Sequence, residues 1–463
     1  MGSRTTDVVV CVDVGSTFTK AVAVDVSAAH GGRVLGTAVH ATTSATDVLE
    51  GLDAVVRQLA PLTAAASSTG AAPVRVLVCS SAGGGLRLAV VGYEGAVTAE
   101  AGRRVGLSAG AKVVHVATGE LDGPGLSALR TARPDVLLLV GGTDGGNASV
   151  LRHNASRLAK ARMAAPVVLA GNVDVRPQVL ELLRSTGRNV VVAPNVLPRI
   201  GSLEPGGARA AIREVFLRHV IGGKGLSRGP RFASLVRAAT PDAVLAGVEV
   251  LADGAPAHGV RPLGDVLVVD VGGATTDVYS VLTPQGEDAT LRKEVVAPMW
   301  RSRTVEGDLG MRWGATGVVE AAELEGLIGA EDQQGLAAAA RRRGDEPGWI
   351  PATAADRADE RHLGALAVTV ALRRHARPPS PTTAGKDLRR VEVVVGSGGV
   401  FRHADPTSRA ALLAPSTQDH AGGWRVPEQP TVVVDESSVL CASGLLRQDF
   451  PAAAAQLARS VLC

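Results

Sequence analysis

Two segments of this chain, about 255 residues apart, follow the same plan: "VVCVDVGSTFTKAVAV" (9–24) and "VLVVDVGGATTDVYSV" (266–281). Each has an apolar strand, Asp-Val-Gly, a turn that contains threonine, and a second strand. An ordinary hairpin turn needs only one or two residues that tolerate positive φ. These turns carry a surplus of hydroxyls and backbone donors, with a carboxylate at the end of the first strand. The repeat predicts two equivalent lobes that face each other across a cleft.

The rest of the chain indicates an α/β architecture. At 463 residues it is too long for one typical domain, and aromatic residues make up only 2%, so the core must consist of small aliphatic side chains. Short Val- and Leu-rich runs without alternation predict strands that are buried on both faces of a sheet. Glycines follow these runs, at the strand ends where such sheets bind ligands. The runs are 74–86, 135–146, 265–278 and 391–400.

From these patterns we predict a duplicated core with helical additions. The first lobe is expected to span residues 1–195 and to be completed by 437–463. Residues 196–262 show little strand pattern and are interpreted as a helical insertion or linker. The second lobe is expected over 263–436, with a helical insertion at 315–390 that is rich in Ala and Arg.

The paired hairpins predict a Mg-ATP site. Asp13 and Asp270 end their first strands and would lie on either side of a hydrated Mg²⁺, which retains several waters and takes few carboxylates. A third glycine-rich strand end, "VVVGSGGV" (393–400), suits close approach of the adenine ring and ribose. The expected nucleotide-binding residues are Gly15, Ser16, Thr17, Thr19, Lys20, Gly272, Gly273, Thr275, Thr276, Gly396, Gly398 and Gly399.

Two polar residues of these motifs have alternative interpretations. Lys20 either contacts phosphate or points away from the cleft at the start of its strand. Asp144, in "GGTDGGN", either positions the attacking water as a catalytic residue or caps the helix that begins near Asn147.

The ordered set of motifs resembles the actin-like ATPase superfamily of sugar kinases, heat-shock chaperone ATPases and actin, whose lobes have the ribonuclease-H-like fold. "DVGSTFTK" and "DVGGATTD" are similar to its two phosphate motifs, "VVVGSGGV" to its adenosine motif, and "SSVLCASGLL" (437–446) to its closing connection. The resemblance implies that Asp277 could be a further metal-proximal carboxylate; an Asx-turn is the alternative.

The resemblance narrows to the glutamate mutase L (MutL/GlmL) family through "CSSAGGGL", "GGTDGGN", "PNVLPRIGSL" and "RTVEGDLGMR", and covers roughly residues 8 to 446. That family accompanies adenosylcobalamin-dependent mutases as an ATP-dependent reactivating chaperone. The resemblance therefore implies a slow ATPase whose partners are mutase subunits. The Arg-rich segment 330–390 departs from the family pattern and leaves any partner contact there open.

Two other functions compete with the chaperone. One is a small-molecule kinase of the same fold, although no sugar-binding cluster of Asn, Asp and Trp can be placed. The other is a component of an ATP-dependent amide hydrolase of the hydantoinase or oxoprolinase type, which generally needs a second large subunit or domain. Fold analogy alone does not separate the three.

Net charge, cysteine spacing and hydropathy limit the partners and the cellular location that we expect. The net charge of +3, with both signs interspersed, predicts no binding to nucleic acid or to an anionic membrane. The four cysteines are widely scattered without CxxC spacing, and indicate neither a disulfide framework nor a zinc site. With no apolar run of membrane-spanning length, we expect a cytoplasmic protein; whether it forms a homodimer is left open.

Overall fold

The computed structural model describes residues 8–27, 31–66, 74–82, 86–93, 98–109, 111–216, 225–283, 300–378, 385–419 and 423–463. In these ranges the strands, in chain order, are β1 (Val8–Val14), β2 (Phe18–Asp25), β3 (Arg33–Ala41), β4 (Arg75–Ser80), β5 (Arg87–Gly92), β6 (Lys112–Thr118), β7 (Val136–Leu139), β8 (Val167–Leu169), β9 (Val190–Val192), β10 (Val236–Ala239), β11 (Val266–Val271), β12 (Thr276–Val281), β13 (Arg301–Glu306), β14 (Val393–Gly398) and β15 (Thr431–Val434).

The α-helices of the same ranges connect these strands and cover the sheets. They are α1 (Val48–Ala66), α2 (Glu100–Ser108), α3 (Gly123–Thr131), α4 (Ser149–Lys160), α5 (Arg176–Ser185), α6 (Pro205–Val215), α7 (Pro230–Leu235), α8 (Thr240–Asp253), α9 (Ala315–Leu324), α10 (Ala330–Asp345), α11 (Ala354–Ala376), α12 (Gly399–Arg402), α13 (Pro406–Thr417), α14 (Val439–Leu446) and α15 (Pro451–Arg459).

Two five-stranded sheets share one topology. The first has the order β3-β2-β1-β4-β10 and the second has the order β13-β12-β11-β14-β15. In each, the first strand pairs antiparallel with the second and parallel with the fourth. The chain thus builds the same sheet twice, each time starting with one of the two related hairpins. The predicted duplication of a ribonuclease-H-like lobe is confirmed.

A third sheet lies between β4 and β10 in the chain. Its order is β6-β5-β7-β8-β9 and all of its strands are parallel. The stretch 1–195 therefore contains two sheets rather than one, and β10, from within 196–262, is an edge strand of the first sheet. A four-residue strand with an exposed arginine, "VRAA", carries no apolar run that the sequence analysis could detect.

The first two sheets pack on a common layer of helices. Alternate residues of β1 point to opposite faces: Val10 and Val12 belong to a core with α1, whereas Val9 and Cys11 belong to a different core. That second core also includes Val268 of β11 and residues of α8, α14 and α15. Because β1 and β11 contribute to the same core, the helices between them link the two lobes.

Helices α9, α10 and α11 lie between β13 and β14 and cover the outer face of the second sheet. Val269 and Val271 of β11 share a core with Leu363 and Val368 of α11. A capping box between Thr353 and Asp356 begins α11. Of the predicted insertion 315–390, residues 379–384 lie outside the described part of the chain. In the described ranges, none of the helices combines the length and apolar character needed to span a bilayer.

Candidate functional site

The two hairpin turns have the same hydrogen-bond geometry. The N–H of Gly15 donates to the carbonyl of Phe18 at 3.1 Å, and the N–H of Gly272 donates to the carbonyl of Thr275 at 2.9 Å. A Cβ at either glycine would lie about as close to the same carbonyl oxygen, 2.8 Å at Gly15 and 3.0 Å at Gly272. The tightness of the turn therefore accounts for glycine at both positions.

The tips of the two turns face each other. Thr17 Oγ1 lies 3.7 Å from the position that a Cβ on Gly273 would occupy, and the side chain of Arg312 lies at a similar distance. These two turns belong to different sheets, so the structure brings together parts of the chain that are remote in sequence. The turn residues Ser16 and Phe18 are exposed, and Thr275 is half-buried. Backbone N–H groups and hydroxyls of the turns thus meet at the boundary between the lobes.

Asp13 is held at the end of β1 by neighbours from three elements. Its Oδ1 accepts a hydrogen bond from Thr240 Oγ1 at 2.5 Å and a weak one from Cys79 Sγ at 3.7 Å. Lys20 faces it across the β1–β2 ladder. Burial raises the pKa of the Asp13 carboxyl, although Lys20 and Thr240 act against this, and the nearby charge of Asp270 adds to the rise.

Asp270 and Asp277 face each other across the second hairpin, in the positions that Asp13 and Lys20 occupy in the first. The carboxylate of Asp277 is buried and accepts a hydrogen bond from Arg303 Nη2 at 2.8 Å. Burial raises the pKa of Asp277, and the charge of Arg303 opposes that rise. Asp277 is paired with Arg303 and Asp13 faces Lys20, while the negative charge of Asp270 acts on both carboxyls. A cation bound beside Asp270 would relieve this repulsion.

Thr19 and Thr276 are fully buried, one residue beyond their turns. The hydroxyl of Thr19 lies 3.0 Å from that of Thr42, and the hydroxyl of Thr276 has no partner among the described residues. The hydroxyls of Ser16, Thr17 and Thr275 are the more accessible ones in the two turns. Phosphate contacts by Thr19 and Thr276 stay a prediction.

In the third glycine-rich strand end, close contacts within the chain account for two of the three glycines. A Cβ on Gly396 would lie 2.7 Å from the ring of Phe401, and one on Gly398, where φ is +102°, would lie 2.1 Å from the carbonyl oxygen of Val271. At Gly399 a Cβ would meet no atom of the described chain within 4 Å. Of the three glycines, Gly399 is therefore the one beside open space.

Asp144 lies at the carboxyl end of β7 in the third sheet. Its Oδ1 accepts hydrogen bonds from Asn195 Nδ2 at 2.8 Å and from the N–H of Val173 at 3.1 Å. At the start of the following helix, α4, the N–H of Ser149 donates to Oδ1 of Asn147 and not to Asp144. Asp144 is exposed, and its hydrogen bonds connect it with the segments after β8 and β9 rather than with α4.

Two supporting residues escaped the sequence analysis. Thr42 donates its hydroxyl to the carbonyl of Gly15 at 2.9 Å and its N–H to the carbonyl of Thr17 at 2.9 Å, which fixes the first turn. Asp435 accepts hydrogen bonds from the N–H groups of Val439 and Leu440 at the start of α14. An aspartate shortly before an apolar helix is a recognisable signal, but nothing near Thr42 in sequence indicates its partners.

A hydrated Mg²⁺ fits the residues at this site. Asp13 and Asp270 offer carboxylate oxygens as metal ligands at equivalent strand ends. They are close enough for the charge of Asp270 to raise the pKa of Asp13. Hard oxygen ligands of this kind suit Mg²⁺. Two sheets of equal order, with turns of equal geometry that face each other, define a two-lobed α/β protein of the actin-like fold class.

Comparison with known proteins identifies the family. A profile of the MutL protein family matches residues 9–462, and this chain belongs to that family. Protein MutL of Clostridium tetanomorphum is 33% identical over 471 residues, which cover 98% of this chain and 99% of the relative.

Among solved structures, similarity is weaker. A nucleotide-free acetone carboxylase is 14% identical at a TM-score of 0.42, covering 96% of this chain and 71% of its own. The activator of 2-hydroxyisocaproyl-CoA dehydratase from Clostridium difficile, with bound ADPNP, is 9% identical at a TM-score of 0.31. The match covers 98% of this chain and 96% of the activator. The ROK hexokinase from Thermus thermophilus is 15% identical at 0.28, covering 97% of each chain. Similarity at this level says nothing about activity.

Proposed function

We propose that this protein is an ATP-dependent chaperone that reactivates an adenosylcobalamin-dependent mutase, either glutamate mutase or a related aminomutase. It binds Mg-ATP between its two lobes and hydrolyses it slowly. The proposal of a nucleotide site rests on the distance of 3.7 Å between the Thr17 hydroxyl oxygen and the Cβ position of Gly273, which brings the two turns together. The mutase partner is supported by membership of the MutL protein family and by the sequence motifs that resemble it.

In this proposal the two turns bind the phosphates through their N–H groups and the hydroxyls of Ser16 and Thr17, with Gly399 beside the adenosine. Asp13 and Asp270 hold the metal through its water shell. A bound Mg²⁺ supplies positive charge to the phosphates, which is its usual role in phosphoryl transfer. Thr240 and Thr42 fix the positions of the Asp13 carboxylate and the first turn.

Three assignments are kept as secondary parts of the proposal. Lys20 is half-buried opposite Asp13 and lowers the pKa of that carboxyl, so it favours the ionised form of Asp13 that the metal site needs. Asp277 supports it from β12, opposite Asp270, while paired with Arg303. Asp144 would orient the attacking water, with its carboxylate held in position by the hydrogen bonds from Asn195 and Val173.

We propose that the crossing of α8 and α14 transmits the nucleotide state from Asp13 to the partner. Both helices pack in the core that β1 and β11 share, and α8 begins with Thr240, which binds Asp13. A change in the charge at Asp13 therefore acts directly on the first turn of a helix that joins the lobes. Such a contact can convert hydrolysis into a change of angle between rigid lobes.

The partner is proposed to dock on the two predicted insertions. Among the described residues, the four most exposed large apolar side chains lie in or directly beside 196–262 and 315–390. They are Ile200 (73% exposed), Trp313 (62%), Leu324 (87%) and Ile350 (76%). Single exposed apolar side chains occur on any protein surface, so it is the position of these four, in or beside the two insertions, that supports a partner contact there.

The test is recovery of activity by an inactivated cobalamin-dependent mutase. We expect recovery only when this protein, Mg-ATP and fresh adenosylcobalamin are present together. Asp13→Ala should still bind the mutase in a pull-down but fail to restore it. A non-hydrolysable ATP analogue is the control for hydrolysis. Full recovery without nucleotide would contradict the proposal, and transfer of the γ-phosphate to a small metabolite would indicate a kinase instead.

A further inference from the structure

Two buried cysteines meet beside Asp13. Cys79 ends β4 and Cys441 belongs to α14; 362 positions separate them, yet their Sγ atoms lie 3.2 Å apart. Cys79 Sγ is also 3.7 Å from Oδ1 of Asp13. One donor atom from each of the three residues lies within 4.8 Å of the other two. The absence of CxxC spacing in the sequence concealed this cluster.

The three donors form a set that soft divalent cations prefer. Two thiolates and a carboxylate can serve as three of the four ligands of a tetrahedral zinc ion, with water as the fourth. With Zn–S of about 2.3 Å and Zn–O of about 2.0 Å, tetrahedral geometry requires separations of about 3.8 Å between sulfurs and about 3.5 Å between sulfur and oxygen. The observed 3.2 and 3.7 Å need only small side-chain rotations to reach these values.

The surroundings supply what such a site needs beyond its ligands. Thr240 Oγ1 donates to the same Asp13 oxygen at 2.5 Å and so orients the carboxylate, as second-shell groups of metal sites do. Asp13 is partly exposed, so an ion and a water ligand can approach from its side. Cys79 and Cys441 are buried, and the surrounding core keeps their Sγ atoms next to each other.

We propose that Asp13, Cys79 and Cys441 form a binding site for a thiophilic divalent cation of the Zn²⁺ class. The occupied site joins β4 of the first sheet to α14 and removes Asp13 from the Mg-ATP site. Micromolar Zn²⁺ should therefore inhibit ATP hydrolysis even with millimolar Mg²⁺ present. This consequence for hydrolysis rests on the proposed function, whereas the metal site itself does not.

The experiment titrates the fully reduced, metal-free protein with Co²⁺ and, separately, with Cd²⁺. We expect a thiolate-to-metal charge-transfer band that saturates at one equivalent. Cys79→Ser and Cys441→Ser should each weaken binding at least tenfold. Cys463→Ser removes an exposed cysteine and Cys11→Ser removes a buried one outside the cluster; both should keep the band. Thermal unfolding of each variant, measured without metal, separates loss of ligand from loss of fold.

Three results would overturn the site: no charge-transfer band at excess metal, a Cys79→Ser variant that binds the metal as tightly as the wild type, or a Cys79–Cys441 disulfide in peptide maps of protein prepared under reducing conditions. The spectroscopic titration needs no ATP. If cobalt binds but ATP does not, the metal site stands and the proposed function fails. If ATP is hydrolysed but no band appears, the nucleotide part of the proposed function stands and the metal site fails.

Discussion

Gly247 of α8 and Gly444 of α14 lie against each other where the two helices cross. A Cβ on Gly444 would be 2.9 Å from the backbone nitrogen of Gly247 and 1.8 Å from the carbonyl oxygen of Ala243. A Cβ on Gly247 would be 1.8 Å from the carbonyl oxygen of Leu440. The two backbones are thus in direct contact. The crossing is closer than any side chain permits, and it joins the helices that link the lobes.

A methyl group at this crossing should separate the helices. We expect Gly247→Ala and Gly444→Ala each to lower the free energy of unfolding by about 3 kcal/mol, since overpacking in a rigid core typically costs about 1–3 kcal/mol or somewhat more. Urea denaturation measures the change. Gly335→Ala on α10 is the matched control: its Cβ would meet no described atom within 4 Å, so it should stabilise by up to about 1 kcal/mol. Equal stability of Gly444→Ala and the wild type would refute direct backbone contact.

Thr42 should matter for nucleotide binding without contacting nucleotide. Thr42→Val keeps the shape and removes the hydroxyl that donates to Gly15 and lies beside Thr19. A hydrogen bond of this kind contributes about 1 kcal/mol, so we expect ATP to bind about fivefold more weakly. Isothermal titration with Mg-ATP measures the change. Thr46→Val, at an exposed position of the same loop, should leave the affinity unchanged. An unaltered Kd in Thr42→Val would show that the turn does not depend on this bond.

Asp270 and Asp144 should differ in their effect on hydrolysis. Asp270→Ala removes a carboxylate beside the proposed metal and should abolish turnover. Asp144→Ala removes a group that at most orients the attacking water. Such a group contributes about 10²–10⁴-fold to the rate of hydrolysis. Phosphate release under saturating Mg-ATP measures both. Asp345→Asn, at the exposed end of α10, is the control for a lost negative charge. Wild-type turnover in Asp270→Ala would rule out its role at the metal.

Stability should decrease in mild acid because of His375. The ring is fully buried, with Nε2 2.8 Å from Ser280 Oγ and Nδ1 2.9 Å from Thr304 Oγ1, and burial holds its pKa well below 6.5. The unfolded chain then binds a proton that the folded chain excludes. Stability is therefore full above pH 6.5 and falls below it, by at most about 1.4 kcal/mol per pH unit from this group.

His375→Gln is the variant that isolates this contribution, because glutamine retains hydrogen-bonding capacity and does not titrate. Urea denaturation at pH 7.5 and pH 5.5 should show a smaller loss of stability in the variant than in the wild type. The comparison is needed because the raised pKa values of Asp13, Asp277 and Asp435 act in the opposite direction and are present in both proteins. Identical losses in the two proteins would exclude His375 as the cause.

The sequence alone predicted what depends on neighbours along the chain. The Asp-Val-Gly turns, the strands on either side of them and the closing helix with Gly444 are each local patterns, and their repetition was sufficient to predict two equivalent lobes. The family, and with it the fold class, could be identified from the same short motifs because a turn's conformation and its exposed donors are written in consecutive residues.

Only the tertiary structure decided which side chains meet. It buried Thr19 against Thr42, paired Asp277 with Arg303, and placed Cys79 and Cys441 beside Asp13. It also assigned the short strand β10 to the first sheet and residues from 87 to 192 to a sheet of their own. Contacts of this kind join residues that are tens to hundreds of positions apart, and no periodicity records them. They follow from the order of strands and the direction in which each side chain leaves its strand or helix, which exist only once the sheets have formed.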